Sequence, residues 1–213
     1  MTSFAREWLK WVALLLMTGD HVNKVLLAGA YPVLSEAARV VYPIFAIVLV
    51  YNLHASPNPA TLRRALNRLA VAAVIAQPFH AWAFGYWLPL NVLFTLALGL
   101  RIINAPLHVA ALLFVFGGLF VDYQWAGLAV VVAAAWMLRH PGHWAGPAAL
   151  GCAVAALYVI NGNAWALGGL VLVWLLRNAP GDFPRSRWTF LSYYVVHLAL
   201  VAALAGNVLP AVV

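Results

Sequence analysis

Charge is scarce in this chain. Asp, Glu, Lys and Arg make up 8% of the 213 residues, and only five of them are acidic. A soluble domain carries about 25% charged residues and cannot hide so apolar a chain in its core, so a water-soluble fold is excluded. Cysteine is nearly absent: Cys152 is the single one, so no intrachain disulfide can form, and its apolar run predicts a small buried thiol. The first apolar run lacks a small-residue cleavage pattern and contains Asp20, His21 and Lys24. A removable leader is therefore not expected. No internal repeat, low-complexity tract or long linker appears, which predicts one integral domain over 1–213.

What is present is hydrophobicity, 66% of residues with a mean hydropathy of +0.92. Apolar runs near the ~20 residues needed to cross a ~30 Å hydrocarbon core fall at 8–29, 38–55, 62–83, 87–104, 105–121, 123–139, 144–161, 163–178 and 188–209. The expectation is an all-α, polytopic transmembrane helix bundle of about nine spans, with eight to ten possible and the short fourth and fifth open to being broken or re-entrant. Turn signals such as SPNP at 56–59, NAP at 104–106, HPGH at 140–143 and NGN at 161–163 separate the runs. With the N-terminus in the cytoplasm, all but Lys24 and Arg39 of the twelve Lys and Arg fall at cytoplasmic ends. That positive-inside distribution predicts the orientation. It also accounts for the net charge of +7 without a nucleic-acid partner. Trp8, Trp82, Trp87, Trp144, Trp165 and Trp188 lie near span ends, where an interfacial aromatic belt explains them.

Against that background the stretch LLLMTGDHVNKVLL is anomalous. Charged groups inside a span cost roughly 2.5–3.5 kcal/mol each on insertion scales and usually mark function. Asp20 lies ~18 Å along the helix from Trp8 at 1.5 Å per residue, in the expected outer half. Asp20 and Lys24 are four apart and can pair, which leaves His21 as a candidate general base. Tracing the spans in alternating directions brings Arg39, Gln77, His80, Asn91, Tyr194 and His197 to comparable depth and predicts a polar cavity opening outward. Arg39 keeps its charge and requires Asp20, Glu36 or a ligand beside it. On the inner side TLRRALNRLA carries Arg63, Arg64, Asn67 and Arg68 near a helix N-terminus, a donor set suited to phosphate. Positive-inside anchoring is the alternative reading for Arg63.

The run KWVALLLMTGDHVNKVLL, followed by ARVVYPIFAIVLVYNL and TLRRALNRLAVAAVIAQPF, resembles the conjugal-transfer TraX family, membrane pilin acetylases related to the acyltransferase-3 type. LSYYVVHLAL resembles that family's tyrosine-rich last span. Tyr51 and Asn52 depart from the pattern, where an acidic residue and glycine would be expected. The resemblance implies an acetyl-CoA-dependent transferase in the bacterial inner membrane, with His21 and Asp20 at the reacting centre. Arg39 or His197 would face the developing oxyanion, Arg63, Arg64, Asn67 and Arg68 would hold the CoA phosphates, and Lys24, Tyr194, Gln77 and His80 would line the cavity. The acceptor would be a pilin-like amino terminus, a sugar hydroxyl or a small amine, and no metal is expected. The residues suit this chemistry independently, because acyl transfer needs a base near neutral pKa and a positive group at the carbonyl oxygen. A proton-coupled transporter using Asp20, His21 and His197 is the competing class, and a noncatalytic scaffold the third.

Overall fold

The computed structural model describes residues 1–55, 57–183 and 188–208. Arg185 and Arg187 of the cytoplasmic set, Ser56 and position 209 of the last expected span lie outside them. The described residues fold mainly into helices: α1 (Ser3–Val25), α2 (Pro32–Ala37), a 3-10 turn (Ala38–Val40), α3 (Val41–His54), α4 (Pro59–Phe84), α5 (Val92–Ile102), α6 (Leu107–Gly117), α7 (Gln124–Arg139), α8 (Ala145–Ala156), α9 (Tyr158–Asn161), α10 (Ala166–Leu176) and α11 (Thr189–Val208).

Local chemistry sets the boundaries. Thr2 caps α1 by accepting from the Ala5 amide, and Asn58 caps α4 by accepting from Ala60, with Pro59 in the first turn. Gly85 ends α4 in the left-handed conformation. The segment 32–54 is helical from end to end, changing to 3-10 geometry at Ala38–Val40. Pro43 has no N–H to give the Arg39 carbonyl, so the helical ladder is interrupted there.

The rods follow the order of the expected spans, but their lengths differ. Among the described residues only Pro32–His54 and Thr189–Gly206 are both long and apolar enough to cross a membrane. α1 and α4 have the length but interrupt their apolar runs with Asp20, His21 and Lys24, and with Arg68, Gln77 and His80. α5 and α6 have 11 residues each, ~16 Å of helix, half a hydrocarbon core. Residues before α5 and after α6 leave the helix to form a bridge instead: Leu90 donates to the Phe120 carbonyl at 2.7 Å and accepts from the Asp122 amide at 2.9 Å.

A largely apolar interior encloses a set of buried polar groups, and the exterior is apolar as well. Tyr42, Leu9, Leu14, Ile44, Leu100 and Leu198 fill the core around α3, while Glu7, Asp20, Asn23, Gln77, His80, Asn91, Asn161 and His197 are buried with them. Val71, Val74, Ile75, Leu112, Val115, Phe116, Val171 and Trp174 point outward. Lipid rather than water suits such an exterior. Close helix approach uses small residues, as where Gly169 lies against the Val40 carbonyl and Gly99 against Val131. Cys152 corrects the expected buried thiol: it is exposed on α8, because that helix turns Gly146, Leu150, Ala153 and Val154 inward.

Candidate functional site

One cavity of about 760 Å³ runs through the bundle, near the upper end of the ~300–1,000 Å³ typical of ligand sites. At one end it is lined by Glu7, Lys10, Asn52, Arg64 and Arg68, and at the other by Asp20, His21, Lys24, Arg39, His80, Asp122 and Asn161. Glu7 and His21 are fourteen residues apart on α1, so the cavity spans ~21 Å along that helix.

Two histidines far apart in sequence meet at the second of these ends. His21 Nδ1 lies 2.9 Å from His197 Nε2. The ring planes are within 12° of parallel with centroids 5.1 Å apart, the arrangement of an in-plane hydrogen bond. His197 Nδ1 lies 3.0 Å from the Tyr193 carbonyl oxygen. A carbonyl can only accept, so His197 donates through Nδ1, and its Nε2, in the neutral ring, must accept from His21 Nδ1–H. His21 Nε2 is thereby left with its lone pair. His197 does not itself line the cavity, so it stands behind His21 rather than at a reacting carbonyl. Thr18 fixes the same helix pair: its hydroxyl donates to the Leu14 carbonyl and accepts from Tyr193 Oη at 2.9 Å.

Around this pair the polar groups are under-used. Lys24 Nζ donates to Asp20 Oδ2 at 2.7 Å, as the spacing predicts, yet Asp20 Oδ1 is buried without a partner. Among the described residues Arg39 has no carboxylate within ion-pair range, so neither Asp20 nor Glu36 pairs with it; its side chain hydrogen-bonds Tyr123, while its Nε is buried and unpartnered. His80 Nδ1 and both amide atoms of Asn161 are orphaned too. Of the six such atoms among the described residues, five belong to Asp20, Arg39, His80 and Asn161, all lining this cavity. Each costs ~1–3 kcal/mol if nothing binds it, which marks the cavity as a site built for a polar guest.

At the opposite end Arg64 donates to Thr61 Oγ1 at 3.3 Å, and the Arg68 guanidinium lies 5.1 Å from the centre of the Trp188 ring. Both arginines line the cavity, whereas Arg63 and Asn67 do not. Gln77 is also displaced from the expected set. Its amide donates to the Trp87 carbonyl and accepts from the Asn91 backbone and side chain, each at 2.9 Å, so it clamps the start of α5 to α4 and has little left for a ligand. Tyr194 and His80 line the cavity as expected. Tyr51 and Asn52, the departures from the family pattern, hold the N-terminal segment: Tyr51 Oη accepts from the Met1 amine at 2.7 Å and Asn52 Oδ1 from Arg6 at 2.8 Å.

Sequence reasoning missed Asp122 and Asn161, because Asp122 falls in the gap between the expected spans 105–121 and 123–139 and Asn161 in the NGN turn signal, and it read Tyr123, at a span end, as an interfacial aromatic. Tyr123 and Gln124 have positive φ of 58° and 46°, and this strained turn carries Asp122 into the cavity. It is held by the Leu90 bridge and by Thr95 Oγ1, which donates to the Asp122 carbonyl at 2.6 Å. Burial pushes the Asp122 carboxyl up to about 6, opposed by a hydrogen bond from the Tyr123 amide and by the charges of Lys24 and Arg39.

Comparison with known proteins places these features in a family. The family model described as TraX protein matches residues 5–205. Protein TraX of Escherichia coli strain K12 is 29% identical over 227 aligned positions, covering 94% of this chain and 87% of the relative. A second Escherichia coli Protein TraX is 30% identical with the same coverage. No solved structure matches the chain. With the family model covering all but the two ends and its relatives aligned along nearly the whole length, the chain belongs to the TraX protein family.

Proposed function

We propose that this protein is an integral membrane acetyltransferase of the bacterial inner membrane, moving an acetyl group from cytoplasmic acetyl-CoA to an amine or hydroxyl at the outer side. A nine-rod, multi-pass topology with the N-terminus in the cytoplasm accompanies this reading. The observation that carries it is the continuity of one cavity from Arg64 and Arg68 to His21, with the His21 ring held so that Nε2 presents a lone pair.

In the proposed reaction Arg64 and Arg68 bind the CoA phosphates by charge and forked donors, and the arm carrying the thioester extends along the cavity. The acceptor nitrogen or oxygen attacks the thioester carbonyl, and His21 Nε2 takes the proton as the new bond forms. Charge developing on the carbonyl oxygen is met by Arg39, whose Nε–H has no other partner. The C–S bond then breaks, the thiolate receives the proton from His21, and CoA and the acetylated acceptor leave. A pilin-like amino terminus is the acceptor the resemblance favours.

Incubation of the purified protein with radiolabelled acetyl-CoA and an amine acceptor tests this. His21→Ala should abolish transfer while CoA still raises the melting temperature, and Arg64→Ala with Arg68→Ala should weaken that stabilisation. An active His21→Ala protein, or unchanged CoA stabilisation in the double variant, would overturn the assignment. The orphaned Asp20 Oδ1 and His80 Nδ1 also suit a proton-coupled solute carrier, for which uptake driven by a pH gradient, without acetyl transfer, would be the signature.

A further inference from the structure

Among the described residues Asn161 is the one with two side-chain polar atoms both buried and unpartnered. It is 8% exposed, and neither its amide nitrogen nor its oxygen has a partner. Its local structure does not need that side chain. The Asn161 backbone N–H closes the last turn of α9 on the Leu157 carbonyl, its own carbonyl accepts from Asn163 Nδ2 at 3.2 Å, and Gly162 ends the helix with a φ of 69°. Asn163, not Asn161, accepts from the Trp165 amide. Fold stability alone therefore gives no reason to bury a carboxamide here.

Its position narrows the purpose. α10 follows directly and packs on the 3-10 turn of Arg39, with Gly169 against the Val40 carbonyl. Asn161 thus belongs to the Asp20, Arg39 and Asp122 end of the cavity, remote from Arg64 and Arg68. On the acetyltransferase reading, on which this inference rests, the CoA phosphates occupy the arginine end. The groups beyond His21 then face the acceptor.

We propose that Asn161 is a specificity-determining residue that holds the acceptor. A carboxamide offers one donor and one acceptor side by side and carries no charge, so its complement is a neutral group with the same pair reversed. An amide next to the reacting amine supplies that pair, and so do vicinal hydroxyls on a sugar. An acceptor lacking it leaves both amide atoms buried and unpaired, the condition under which a site rejects an analogue strongly.

The test compares three acceptors with labelled acetyl-CoA: propylamine, alaninamide and a methyl glucoside. The wild-type protein should acetylate alaninamide or the glucoside with kcat/KM roughly 10- to 100-fold above propylamine, and which of the two identifies the source of the pair. Asn161→Ala should remove that preference through KM, with CoA stabilisation intact and a melting temperature equal to or above wild type. Asn161→Ser repeats the measurement with a smaller change of shape. Equal use of all three acceptors by wild type, a preference that survives in both variants, or a lowered melting temperature with unchanged kinetics overturns the role of Asn161 and leaves the acetyltransferase reading standing. Absence of transfer to all three by the wild type defeats both.

Discussion

Replacing His197 with Phe keeps a ring between α1 and α11 and removes the atom that accepts the His21 proton. In the native arrangement the Tyr193 carbonyl orients His197 and His197 orients His21, through contacts of 3.0 and 2.9 Å. Without the acceptor, His21 Nδ1–H gains nothing from staying protonated at that nitrogen, and the other tautomer, with its lone pair turned away from the acceptor, becomes competitive. A net hydrogen bond contributes ~0.5–1.5 kcal/mol, and a donor left buried and unpaired costs ~1–3 kcal/mol. At 1.4 kcal/mol per factor of ten, kcat should fall roughly 5- to 150-fold. The acceptor KM and CoA stabilisation should change little, because His197 does not line the cavity. His197→Gln can still present an amide oxygen to His21 and should recover part of the rate, which a merely space-filling role would not allow. The assay is steady-state acetyl transfer, with nitrogen-15 NMR of labelled histidine reporting the His21 tautomer. Wild-type kcat in His197→Phe, or a native His21 protonated at Nε2, would refute the reasoning.

Two further outcomes follow from the turn beside the cavity. Gly127→Ala places a Cβ 2.6 Å from Tyr123 Cβ and 3.0 Å from the Tyr42 hydroxyl, where Tyr42 donates to the Gly127 carbonyl at 2.7 Å. Overpacking of this kind costs ~1–3 kcal/mol, so a lower melting temperature is expected, and an unchanged one would mean the turn yields freely. Asp122→Asn tests the raised carboxyl. The folded chain holds this proton more tightly than the unfolded one, so the stabilising contribution is complete below the ordinary value of 3.8 and is lost as pH rises through about 6. By the proton linkage the effect is at most ~3 kcal/mol. Asp122→Asn should therefore lose less stability than wild type between pH 4 and pH 7.5, as read by thermal unfolding, and parallel curves would contradict the burial of that carboxyl.

Much of the helical framework was legible from composition and periodicity, since apolar runs separated by Pro, Gly and Asn fall where the rods are found. The short fourth and fifth runs were open to being broken, and α5 and α6 are indeed half-length, but where they break was not legible. The pairing of Leu90 with the residues after α6 takes those ends out of the helix, and that contact joins positions thirty residues apart. The arginine end and the histidine end of the site were both anticipated, but Arg63, Asn67 and Gln77 lie outside the cavity. A helix face read from spacing says which residues point together, and only the neighbouring helix decides whether they point at a cavity or a packed wall. Asp122 and Asn161 show the converse, since turn residues look solvated until the fold closes over them.

The amino-acid order alone determined whatever depends on neighbours a turn apart: the helices, their caps, and the Asp20–Lys24 pair at 2.7 Å, because 3.6 residues per turn brings those groups together in any α-helix. Tertiary structure decided what depends on distant contacts: that His197, 176 positions along the chain, sets the free nitrogen of His21, and that Arg39 Nε and both amide atoms of Asn161 are buried without partners. Those relations come from packing, where side-chain volume and small-residue helix contacts choose which faces meet, and sequence spacing carries no record of that choice.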